Sequence, residues 1–247
     1  MNRIIVTDLT RFSKPEKVCI AGINIENGEC IRPTPYLSSD YCKQLGILPG
    51  SILKGIFRKS LTIEKPHSED TNYQNIVHDG ICTAEEFERV LCFNLANGIE
   101  EGFNVKIASD QKYIPANSPP EHSIITIKVS PKSIFIVDDK YNPGRIRISF
   151  FDVQSNRYFN FVPITDLGFY EYGMTHFNNG SLDLLNNFIK SQERVYLRIG
   201  LSRRHEAPNE RIGFWIQVNG IYTFPKYLEG IRSYKQDQPE AQQKLIF

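Results

Sequence analysis

Apolar residues along the chain fall in short runs divided by turn-forming clusters, a pattern that predicts many strands and few helices. Val18-Cys19-Ile20-Ala21-Gly22-Ile23 and Cys30-Ile31-Arg32-Pro33 flank the turn Glu26-Asn27-Gly28-Glu29, which predicts a β-hairpin. Pro33 and Pro35 then end ladder pairing, because proline has no N–H to donate. Another strand is expected over 52–57, behind the Pro49-Gly50 turn, whereas the polar stretch 65–75 reads as an extended connection. Helical spacing emerges at Phe87, Val90, Leu91 and Leu95. Thr83 stands before it as an N-cap with Glu86 three residues on, and Asn97-Gly98 supplies the stop.

Glu100 to Pro120 is rich in prolines and polar residues and reads as a boundary between two halves. Beyond it, strands are expected over 123–129, 133–137, 145–151 and 157–161. Arg145, Arg147 and Ser149 alternate there with Ile146, Ile148 and Phe150, the period of a strand with one wet face. A helix is expected at 182–189, with Ser181 as N-cap and Leu182, Leu185, Phe188 and Ile189 as its apolar face. Strands over 195–201 and 214–218 flank the charged loop SRRHEAPNER, and Asn219-Gly220 marks a hairpin turn into 221–225. The expected fold is therefore mainly β: two OB-like barrels in series, each with an accessory helix. The same periodicity also fits SH3-like barrels and a split sandwich. The expected boundaries are 1–100 for the first unit, 101–122 for a connecting segment, 123–234 for the second unit and 235–247 for a polar tail.

Composition changes this picture in two places. The 247 residues carry 29 Lys+Arg against 28 Asp+Glu, which excludes a strongly basic coat protein. Residues 60–110 hold three basic and ten acidic residues, whereas 190–235 hold nine basic and four acidic, so the overall balance hides a basic C-terminal stretch. The five cysteines show no CxxC spacing and read as reduced core thiols. Ile4-Ile5-Val6 is too short for a signal-peptide core and no run is long enough for a membrane helix, so the expected setting is the cytoplasm, without a membrane partner.

Several stretches together are similar to the prokaryotic dual OB-containing domain family. They are VCIAGINIENGECIRP, PHSED at 66–70, ISFFDVQSNRYFNFVPITD at 148–166, YLRIGLSRR and FWIQVNGIYTFPKYL, within a span of roughly 2–228. The resemblance implies two OB-like units and a nucleic-acid-associated role near DNA-processing or antiviral defence genes, with a possible protein partner encoded nearby. It supplies no established site residues. One departure is Pro163-Ile164-Thr165-Asp166-Leu167-Gly168, which keeps Thr165-Asp166 in altered surroundings.

Binding chemistry is expected where cations and rings interleave, since guanidinium groups track phosphates while flat rings stack on bases. The candidate nucleic-acid contacts are Arg32, Arg145, Arg147, Arg157, Arg198, Arg203, Arg204, Arg211, Tyr222 and Tyr227. Set against this is a structural reading, in which the aromatics fill the barrels and the arginines form a solvated face. The partner expected is DNA or RNA, single-stranded in preference, with no cofactor and no metal. The chain shows neither GxxxxGK[ST] nor GxGxxG, and its histidines show no ligand spacing. A small-nucleotide sensor or protein-interaction module is the alternative. A nuclease using Asp138, Asp139, Asp152 and Asp166 ranks behind both.

Overall fold

The computed structural model describes residues 1–12, 16–60, 64–207, 211–232 and 234–235. In the first half, β1 (Asn2–Arg11), β2 (Lys17–Asn24) and β3 (Cys30–Thr34) are followed by β4 (Leu37–Ser38), α1 (Ser39–Gln44), β5 (Ser51–Lys59) and β6 (Asp70–Thr83). Pairing runs β1-β2-β3-β6-β5 and returns to β1, antiparallel throughout except between β3 and β6. This is a closed OB barrel with its helix between the third and fourth barrel strands. Ile4, Val6, Leu9, Ile20, Ile31 and Leu53 fill its interior.

The second half begins with α2 (Ala84–Cys92), β7 (Leu95–Ala96), α3 (Ile99–Phe103) and β8 (Tyr113–Pro115). It continues through β9 (Ile124–Val129), β10 (Ile134–Asp138), β11 (Ile146–Asp152), β12 (Arg157–Pro163), α4 (Leu167–Asn178) and α5 (Leu182–Lys190). β13 (Arg194–Leu201), β14 (His205–Ala207), β15 (Arg211–Phe224) and β16 (Tyr234–Lys235) complete it. A 3-10 turn at Pro131–Ser133 bends β9 into β10, so the two act as one bent first strand. β10-β11-β12 form one sheet and β15-β13-β9 another, joined by the parallel bridge Ile164–Val218. The order repeats that of the first barrel, with α4 and α5 between the third and fourth strands.

Several local expectations change. The stretch 101–122 is not a connection: Phe103, Ile107 and Ile114 lie in the core of the second barrel, and β8 pairs with β15. The helix expected from Thr83 forms, with the capping box to Glu86, but ends at Cys92 and lies after the first barrel rather than inside it. The barrel's own helix is α1, whose six residues are too few to show a repeat. Residues 70–75, expected as connection, begin the 14-residue β6, whose wet face explains its polarity. Asn219-Gly220 is a bulge within β15, where Arg198 faces Gly220 and Ile199 faces Val218. Of the expected tail, Lys235 lies in β16, which pairs with β6, and 236–247 lies outside the described residues.

The barrels are welded face to face. Ile4 and Val6 point into the first barrel, while Ile5 joins Ile23, Cys82, Phe87, Val90, Leu91, Tyr196, Tyr222 and Phe224 in a separate core between the barrels. β1 is therefore buried on both faces, which explains why its sequence lacks an apolar–polar alternation. A bulge between Val6 and Asp8 leaves Thr7 without a ladder partner, and its carbonyl accepts the Tyr222 hydroxyl. At the centre, Arg198 Nε donates to Asp8 Oδ2 at 2.9 Å and Arg198 Nη1 to Thr126 Oγ1 at 2.9 Å. Arg194 grips Glu88 of α2 with Nε and Nη2, at 2.6 and 3.1 Å.

Candidate functional site

OB barrels bind oligomers on the face of their second and third strands, between the loops joining strands one to two and four to five. In the first barrel several of the described residues on this ground are engaged by the second barrel. Arg32 of β3 donates to Asp70 Oδ1 at 2.6 Å and to Ser123 Oγ at 3.2 Å. Glu69, in the loop between β5 and β6, accepts the Ser123 and Ile124 amides at 2.7 and 3.0 Å, both from the edge of the second barrel. Arg203 reaches back to Asp70 Oδ2 at 2.7 Å and to the Tyr36 hydroxyl.

His67 sits in this joint, only 5% exposed, with its ring edge-on to Phe214. Burial pushes its pKa down to about 3, and Arg32 and Arg203 act the same way against Asp70. An unfolded histidine titrates near 6.5, so between roughly pH 6.5 and 3 the unfolded chain takes up a proton that the folded one refuses. Stability falls as pH drops through that window. Unfolding midpoints measured from pH 7 to 4 should decline, and His67→Gln should flatten the decline; equal slopes would rule the contribution out.

The second barrel leaves the same face open. A cleft of about 570 Å³ is lined by Lys112, Tyr113, Tyr141, Arg147, Phe161, Arg211 and Trp215 among others. The loop between β10 and β11 supplies Tyr141, β11 supplies Arg147, β12 supplies Phe161, and β15 supplies Arg211 and Trp215. β8 lies alongside β15, with Tyr113 opposite Trp215 and the two rings stacked at 5.1 Å and 19°. An adjoining recess of about 530 Å³ shares Tyr113 and Arg211 and adds Arg204.

The cations here are held in different ways. Arg147 Nε donates to Asp139 Oδ2 at 2.6 Å. Burial acts to raise the Asp139 carboxyl, but Arg147 and the Tyr141 amide outweigh it and hold its pKa below the usual range. Burial pulls the Lys112 ammonium down, with Arg147 and Lys140 adding to the effect. Lys140 Nζ lies 5.0 Å from the Tyr141 ring centre and 4.9 Å from that of Phe161. Arg145 is exposed just ahead of β11. Arg11 Cζ lies over Tyr170, 3.5 Å from its ring centre, in the field of Arg145 and Arg147.

Phe161 is the strained member. Its φ is +55°, a left-handed conformation that a bulky residue rarely adopts, at a cost on the order of 1–3 kcal/mol. The pairing of β11 with β12 shifts between Ile148 and Phe150, so Asn160 and Phe161 together bulge opposite Ser149. Two side chains hold the bulge: Ser149 Oγ accepts the Phe161 amide at 3.1 Å, and Lys112 Nζ donates to the Asn160 carbonyl at 2.9 Å.

The described fold is thus one OB barrel closed on a second, and the model of the dual OB-containing domain family matches residues 3–221. The chain belongs to that family. No curated protein and no solved structure matches it. Within this dual OB-containing domain, the stretches that carried the resemblance fall largely on the joint between barrels. Thr165 Oγ1 donates to the Val218 carbonyl at 3.1 Å, and Asp166 caps α4 while accepting from the Ile221 amide and Arg232. The altered surroundings of Thr165-Asp166 are therefore the closure of the second barrel.

Of the sequence candidates, Arg147 and Arg211 line the cleft and Arg204 its extension, whereas Arg145 is exposed just ahead of β11 and is not a lining residue. Arg32, Arg198 and Tyr222 are corrected to interior positions: all three are buried in the joint and face the other barrel. Arg157 is corrected too, because its guanidinium binds the carbonyls of Ile107, Ala108 and Gln111 and so fastens the strand segment that carries Lys112 and Tyr113. Arg203 is tied to Asp70, and Tyr227 packs partly buried against the inter-barrel core. Lys112, Tyr113, Tyr141 and Phe161 were absent from the candidates. Trp215 had a signal in its basic, aromatic segment, whereas Lys112 and Tyr113 lay in a stretch read as linker.

The carboxylates proposed for a nuclease do not converge. Asp139 pairs with Arg147, Asp152 accepts the Ile99 amide and the Ser155 hydroxyl, and Asp166 holds α4 and Arg232. Among the described residues no three His, Cys, Asp or Glu groups are placed to hold a metal ion. Burial raises the Cys19, Cys30 and Cys42 thiols to about 11, 12 and 11, so they stay protonated at neutral pH. Cys92 departs from the expected core position and is exposed. No helix among the described residues is long and apolar enough to cross a membrane.

Proposed function

We propose that this dual OB-containing domain binds single-stranded nucleic acid, DNA or RNA, in the open cleft of its second barrel, without catalysis. The observation that carries the reading is the pairing of cations with rings on the open OB face of the second barrel: Lys112, Arg147 and Arg211 beside Tyr113, Tyr141, Phe161 and Trp215. Cations there take phosphates and rings take bases, which gives weak sequence preference. The role fits a recognition subunit of a prokaryotic DNA-processing or defence system.

The test is the affinity for a labelled single strand and for a duplex at two salt concentrations. The single strand should bind more tightly, and log Kd should rise steeply with log salt, by about 0.7 for each phosphate contact. No binding to either at low salt overturns the reading. A mononucleotide that competes as well as the oligomer would favour the small-ligand sensor instead.

A further inference from the structure

We infer that Phe161 is the base-stacking platform of the cleft and that its left-handed backbone is maintained for this purpose. The inference rests on the reading of the cleft as a nucleic-acid site. An extended β12 would carry side chains alternately into and out of the barrel. The extra residue at the bulge breaks that alternation and presents the Phe161 ring to the cleft, between Tyr141, at a ring distance of 5.7 Å, and the Lys140 ammonium. Asparagine or glycine would adopt the same backbone at little cost, as Asn75, Asn104 and Asn156 do elsewhere in this chain. Phenylalanine instead occupies the position, and the Ser149 hydroxyl and the Lys112 ammonium hold the bulge in place. Strain that surrounding bonds over-determine at a ligand-facing position is the mark of a residue kept for binding. The ligand class this selects is a strand with at least one unpaired base: a flat ring beside an ammonium receives a base face and its neighbouring phosphate, whereas a paired base keeps both faces stacked in the duplex.

The experiment compares single-strand affinity at low salt and thermal unfolding for the unmodified protein, Phe161→Gly, Phe161→Leu and Phe161→Tyr. Phe161→Gly removes ring and strain together and should weaken binding about tenfold to 100-fold while Tm holds or rises. Phe161→Leu keeps apolar bulk and strained backbone without a ring and should lose affinity to a similar degree, whereas Phe161→Tyr should retain it. Unmodified affinity in either Phe161→Gly or Phe161→Leu overturns the role given to Phe161 and leaves the cleft reading standing. Absence of binding by the unmodified protein overturns both.

Discussion

Asp8→Ala should destabilise the folded protein by about 3–5 kcal/mol, among the largest single-site effects in the chain, although the residue lies far from the cleft. Asp8 and Arg198 are each 1% exposed, and removing the carboxylate leaves a guanidinium in the joint with Thr126 and Cys30 as its remaining partners. That charge would be left in the joint without the counter-ion that the carboxylate now supplies. For a chain of this size the expected drop in Tm is on the order of 10 °C. The double variant Asp8→Leu with Arg198→Met should recover much of the loss, because it replaces an ion pair by apolar bulk instead of stranding half of one. Chemical denaturation of both variants checks this, and a loss below about 1 kcal/mol in Asp8→Ala would show that the pair contributes little.

The second large effect is on binding. Arg145→Glu combined with Arg211→Glu should reduce single-strand affinity on the order of 100-fold at low ionic strength and lower the salt slope by about 1.4. Both side chains are exposed, Arg211 in the cleft and Arg145 two residues ahead of the cleft-lining Arg147, so unfolding midpoints should change little. Arg203→Glu makes the contrast: it faces Asp70 across the joint and should cost stability first. Fluorescence anisotropy across a salt series separates the outcomes, and an unchanged slope in the double variant would exclude phosphate contacts at these two positions.

Much of the fold was legible in the sequence because barrel strands announce themselves by short apolar runs and turn residues. The hairpin around Asn27-Gly28, the capping box at Thr83 and the alternation from Arg145 to Phe150 all correspond to formed elements. What escaped shares a physical cause. β1 and β13 are covered on both faces, so buried arginine and aspartate stand at positions that a one-sided barrel strand would give to solvent. An arginine there looks like a phosphate contact until its aspartate, 190 residues away, is found beside it. The segment 101–122 looked like a linker because its prolines and polar residues mask the five apolar side chains Phe103, Val105, Ile107, Ile114 and Ala116 that anchor it. Helix α4 escaped because Gly168 and Gly173 interrupt its pattern, although Ile231 and Ile146 pack where a Cβ at those positions would sit. The cleft itself was half legible: Arg147 lies on a recognisable strand, but Arg211 stood at the end of a stretch that reads as a charged loop, and the rings come from four separate places that only the closed barrel brings together.

The burial of one barrel's face against the other fixes the valence of the molecule. A tandem of two independent OB barrels would gain avidity by gripping two stretches of the same strand, with a linker setting the effective concentration. Here Arg32, Glu69 and Asp70 of the first barrel's equivalent surface are spent on the joint, so among the described residues the open cleft that combines cations with rings is the second barrel's. On the proposed reading the first barrel serves as a backing in place of a second grip, and any gain from multiple attachment would come from several chains along one strand.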